Sequence, residues 1–167
     1  LTSIFSSCKK DKDPNPQTPK PANLSIIHAA PGTPELSFFV DKVKKNTKAL
    51  TYNTVIEYQS ISSGKRELSV TKKDVTDILV KADATLDADK SYSVFVADKT
   101  GNALVFVADD LSAPAADKAK IRFINLSPDA GSLDLAVTGK TEVLLAKKAF
   151  KESTHFTNTK EVCAEFN

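Results

Sequence analysis

Two histidines, two cysteines and two arginines hold most of the reactive chemistry of this 167-residue chain, and their spacing decides how much of it is usable. His28 ends the alternating run Leu24-Ser25-Ile26-Ile27-His28, in phase with Leu24 and Ile26. Alternate residues share one face of a strand, so His28 is expected to point inward near a strand end. Asn125 follows Ile121 and Phe123 in the same way. Asparagine can bond buried backbone groups as histidine does, but it cannot replace histidine as a general base. His28 and Asn125 are therefore read as structural residues, each hydrogen-bonding the turn that follows, at Pro31 and at Pro128. His155 has Glu152 nearby but no second histidine or thiol, and is read as a surface strand residue. Cys163 lies between Glu161 and Glu165, and neighbouring carboxylates raise a thiol pKa, the wrong direction for a nucleophile. Asp109 and Asp110 with Asp129 or Asp134 could gather calcium ligands, but no DxDxDG loop occurs. The expectation is no catalytic residue, no metal, no cofactor and no enzyme.

Composition narrows the partners. With 41% hydrophobic and 26% charged residues the chain is close to the globular average, and no internal apolar run reaches the roughly 18 to 20 residues that cross a bilayer. A net charge of +2 is too balanced for a phosphate-binding face, so nucleic acid is not an expected partner. Arg66 and Arg122 are the only arginines, so guanine readout and carboxylate clamps are not expected either. Surface lysines with Tyr52 and Tyr58 could meet a glycan, although the chain has no tryptophan to stack on a sugar. The chain starts at Leu1 and contains no methionine, and is read as trimmed or partial.

The elements that must hold these residues begin with a tether. Residues 1–20 read LTSIFSSCKKDKDPNPQTPK, changing at Cys8 from small and apolar to charged and proline-rich. Phe5, Ser6 and Ser7 before Cys8 resemble the lipobox read by bacterial lipoprotein signal peptidase, with Phe5 in place of the usual leucine. By that resemblance Cys8 is the lipidated N-terminus and residues 1–7 are the remnant of a signal peptide. Residues 9–22 contain Pro14, Pro16, Pro19 and Pro21 without apolar periodicity. Residues 8–22 are thus a lipidated spacer, whose extended polyproline form would reach roughly 40 Å. The CKKDKD start also looks like the residues after the lipidated cysteine in surface-exported lipoproteins of Bacteroidetes-type bacteria. Lipidation competes with a Cys8–Cys163 bridge, so no disulfide is expected.

After Ala22 short alternating apolar runs are separated by turn residues, which makes the chain all-β. Strands are expected over 23–29, 36–41, 54–61, 66–71, 78–82, 92–97 and 103–108, with one helical turn over 77–81 as an alternative. Seven strands in about ninety residues fit an immunoglobulin-like antiparallel β-sandwich over 23–112. Gly101 is placed in the left-handed position of a short hairpin, and the two apolar strands flanking it are expected to be a central pair. Residues 22–40 align without a gap to 119–137, with identities at Ala22, Ile27, Pro31, Leu36 and Val40. Further on, Tyr52 and Tyr58 align with Phe150 and Phe156. A partial second copy of the module is therefore expected over 119–167, joined by a linker over 112–118.

His-Ala-Ala-Pro at 28–31, LSFFVD at 36–41, KSYSVFVAD at 90–98, ALVFVADD at 103–110 and APAADKAKIRFINLSPDA at 113–130 resemble the bacterial domain of unknown function 4397. The resemblance implies an exported or lipid-anchored protein with immunoglobulin-like domains in tandem, and no assigned reaction. The expected function is a non-catalytic lipoprotein module of the bacterial cell envelope. It would be anchored in the outer membrane through its lipid, periplasmic or surface-exposed, and would bind a surface protein or glycan. The alternative is a spacer in a larger surface hydrolase or transport system whose active part lies beyond residue 167.

Overall fold

Alternating apolar residues make strands wherever one face finds a partner layer, and turn residues cut them short. The computed structural model describes residues 19–160, apart from 138 and 140–142. Eight strands come first: β1 (Pro21–His28), β2 (Leu36–Val40), β3 (Val43–Lys44), β4 (Val55–Ser62), β5 (Gly64–Lys72), β6 (Ile78–Leu86), β7 (Ser91–Ala97) and β8 (Ala103–Asp109). β9 (Ala119–Ile121), β10 (Leu133–Ala136), β11 (Val143–Lys148) and β12 (Thr157–Thr159) follow. Among the described residues there is no helix.

The first eight strands make two four-stranded sheets, ordered β4-β1-β7-β8 and β3-β2-β5-β6. β1 and β7 run parallel, and the other pairings are antiparallel. The sheets meet across one apolar core, as in a β-sandwich. Leu24, Ile26, Val94 and Val96 come from one sheet and Phe38, Leu68, Val70 and Leu86 from the other. Fully burying a side chain of this size contributes about 1.5–3 kcal/mol, so the core supplies the main driving force for the fold.

One local expectation changes and one alternative is settled. Residues 78–82 take the strand expected there, not the alternative helical turn over 77–81: Ile78 opens β6, which pairs with β5 along its length and runs on through Asp83. The pairing wins because Val70 and Val80 sit opposite each other, and cross-strand β-branched pairs favour the sheet. β7 is central but β8 is an edge strand. The outer face of this pair is apolar because Ile124, Leu126 and Phe150 pack over Phe95, Ala97, Ala103, Val105 and Val107. The β7–β8 turn does use Gly101 with φ 74°.

The last four strands form two two-stranded sheets, β12-β9 and β10-β11. Their pairings repeat those of the first sheets. Ala22↔Ile61, Asn23↔Ser60 and Leu24↔Gln59 reappear as Ala119↔Thr159, Lys120↔Asn158 and Ile121↔Thr157. Leu36↔Leu50 reappears as Leu133↔Lys148. Burial does not repeat: Leu24, Ile26 and Leu36 are buried, while Ile121, Phe123 and Leu133 are half-buried.

Candidate functional site

β8 ends at Asp109, where the chain leaves the first sheets, and β9 returns Arg122 to the same place. Asp109 Oδ1 accepts from Arg122 Nη2 at 2.6 Å, and Oδ2 accepts from Tyr58 Oη at 2.8 Å and Ser93 Oγ at 2.7 Å. The side chains of Arg122 and Asp109 are 9% and 1% exposed, so the pair is desolvated. Arg122 Nη1 also donates to Ala108 O at 2.9 Å, and the guanidinium lies 4.5 Å above the Phe156 ring. Burial, together with the bond to Asp109, raises the Tyr58 hydroxyl above its ordinary pKa.

The next carboxylate belongs to a separate cluster. Lys120 Nζ pairs with Asp110 at 2.5 Å and donates to Ser112 Oγ at 2.7 Å. Bonds from Lys120 and Ser112 hold the Asp110 carboxyl far below the usual range. Phe106, Asp110, Arg122, Ser153, His155 and Phe156 are among the walls of a cleft of about 350 Å³ here. Its charged groups are already paired, so it offers a ligand an aromatic ring, hydroxyls and the exposed His155 rather than free charge.

His28 is buried at the end of β1. Its Nδ1 accepts the Ala30 N–H at 3.2 Å, and Nε2 lies 2.9 Å from Thr33 Oγ1, which donates to Ala30 O. Asn125, 1% exposed, accepts the Ser127 N–H on Oδ1 and donates from Nδ2 to Gly131 O and Lys148 O. The surrounding backbone matches as well. His28 N donates to Thr54 O and Asn53 N to His28 O, while Asn125 N donates to Glu152 O and Lys151 N to Asn125 O. Asn53 and Lys151, at matching positions, both take positive φ, 65° and 71°.

Other sequence candidates are not brought together. Asp129 pairs with Lys99, and Asp134 Oδ1 accepts the Lys147 N–H, so neither joins Asp109 or Asp110. Among the described residues no group of three or more His, Cys, Asp or Glu side chains could hold a metal. His155 is exposed, in a loop rather than a strand. Cys8 and Cys163 lie outside the described residues. Sequence reasoning missed the Asp109–Arg122 pair. The rarity of arginine was a usable signal, because both arginines hold an aspartate, Arg66 with Asp41 and Arg122 with Asp109.

No curated protein matches the chain. A family model described as "Domain of unknown function (DUF4397)" matches residues 22–136, from the start of β1 through β10 and across the Asp109–Arg122 junction. The match covers more than half of the sequence, and the chain belongs to this family.

Proposed function

We propose that the chain is a non-catalytic module of a bacterial outer-membrane lipoprotein, acylated at Cys8 and held off the membrane by a proline-rich spacer. Its folded part, on this reading, is an immunoglobulin-like sandwich followed by part of a second copy, and it presents strand edges and the β8–β9 cleft to a surface protein or glycan. The observation that carries the reading is the matched use of His28 and Asn125. Each buried side chain bonds the turn after its strand, Asn125 reaching Lys148 O as well, so the residue best equipped for acid–base chemistry serves architecture. Repeated strand register supports the second copy.

A glycan array probed with the full chain tests the binding branch: signal lost on Phe156→Ala locates the ligand in the cleft, and silence across the array removes glycan as the partner. Membrane partition tests the anchor. Cys8→Ala should release the protein, and retention of the variant in membranes would refute lipidation.

A further inference from the structure

Ile124, Leu126 and Phe150 of the second segment pack against Ala97, Ala103 and Val105 on the outer face of the β7–β8 hairpin, with Phe95 and Val107 beside them. In the alignment of the two segments these three residues match Ile27, Ala29 and Tyr52. The match extends to the backbone, because Asn53 and Lys151, each following its aromatic residue, both take positive φ. The first segment therefore carries the same docking face, and carries it toward solvent. Tyr52 is 56% exposed and Val55 54% exposed, while Ile27 and Ala29 are half-buried.

This face continues an interface already made. Ile27 pairs with Val55 on one side and Phe95 on the other, and Phe95 pairs with Val105, so one apolar row crosses the outer face of β4-β1-β7-β8. The second segment sits on the β7–β8 half of that row, and the other half ends in the exposed Val55. Contiguous apolar residues on an exposed face mark an interaction site. The charges of the made contact are not repeated: Arg122 and Asp129, which pair with Asp109 and Lys99, match Ser25 and Gly32. Apolar shape is left to select the partner, and the shape that fits the matching face is a hairpin of small and branched side chains. We propose that the face of Ile27, Ala29, Tyr52 and Val55 binds the outer face of a β7–β8 hairpin offered by another domain of this family on a separate chain. The contact repeats, between chains, the one that the second segment makes within this chain.

The inference rests on reading 119–160 as part of a second copy, and one experiment on full chains separates the two. An unaltered, isotope-labelled chain offers the face while its own hairpin is covered. The probe chain carries Ile124→Asp/Leu126→Asp, which bares its hairpin because an unpaired carboxylate is costly to bury against Ala97, Ala103 and Val105. It also carries Tyr52→Asp/Val55→Asp, so it has no such face of its own. A second probe has Leu126→Asp/Phe150→Asp in place of the first pair. The expected result is a complex in sedimentation with either probe, and amide exchange over 51–58 of the labelled chain slowed several-fold. Both effects should vanish when the labelled chain carries Tyr52→Asp/Val55→Asp. If neither probe binds, or the substituted chain is bound as well, the face is refuted. Self-association of the unaltered chain alone, lost with Tyr52→Asp/Val55→Asp, would make the occupant the same face of a second copy and overturn the hairpin. The copy is read in the same spectra from the amides of Asn125 and Lys151, which bond as those of His28 and Asn53 do. If they are protected and no complex forms, the second copy stands and the face falls; if they exchange freely, both readings fall.

Discussion

At His28 the network fixes the tautomer by assignment. Thr33 Oγ1 gives its proton to Ala30 O, so Nε2–H donates to that oxygen, and Nδ1 carries the lone pair that takes the Ala30 N–H. A second ring proton would set two donors against each other. Burial pushes the ring below the ordinary imidazole pKa of 6.5. In the window from 6.5 down to the folded-state value the unfolded chain binds the extra proton, so stability falls as pH falls there, by up to about 1.4 kcal/mol per pH unit. Above 6.5 the contribution is complete. Urea melts between pH 7 and 5 should show this slope, and His28→Asn should flatten it while keeping the turn, as Asn125 keeps its own. An unchanged slope in the variant would assign the effect to another group. The matching of His28 and Asn125 was legible because both follow apolar residues in strand phase. The Asp109–Arg122 pair was not, because its formation depends on how the chain folds back after the linker, which no local pattern encodes.

At the scale of elements, the β7–β8 hairpin and the β8–β9 return carry the stress. Gly101 has φ 74°, and a Cβ there would stand 3.1 Å from Thr33 Cγ2. Gly101→Ala should cost about 1–2 kcal/mol in chemical denaturation, and no loss would mean that the turn relaxes. Asp109→Ala should cost more, about 3–5 kcal/mol, because it strands a buried guanidinium and removes the acceptor of Tyr58 and Ser93. A double-mutant cycle with Arg122→Met separates the two contributions: the variants should be strongly non-additive, and additivity would mean the pair is not coupled. Alternation and turn residues were enough to read the first seven principal strands. They could not give the order of strands in the sheets, so β8 looked central: apolar residues on both faces are the same signal whether a second strand or a folded-back segment covers them.

For the whole molecule, the asymmetry in burial between the two segments has a thermodynamic consequence. The core of β1–β8 is closed on its own, with Leu24, Leu36, Phe38 and Leu50 at 0% exposure. β9–β12 lean on it through Ile124, Leu126 and Phe150, and through Arg122, while Ile121, Phe123 and Leu133 stay half-buried. Less apolar area removed from water means a smaller free energy of opening, so 119–160 should open before the first sheets do. Native-state hydrogen exchange should find the amides of β9 and β12 in a cooperative unit of lower stability than β1, β2, β5 and β7. Arg122→Met should lower the first unit by several-fold in protection and leave the second nearly unchanged, because among the described residues Arg122 bonds to the first sheets at their margin, to Asp109 and Ala108 at the end of β8. A single transition with equal protection throughout would show that 119–160 is integral to the first core. Separate transitions, with the Arg122 effect confined to the first, would instead make the second segment an appended unit whose stability depends on that junction.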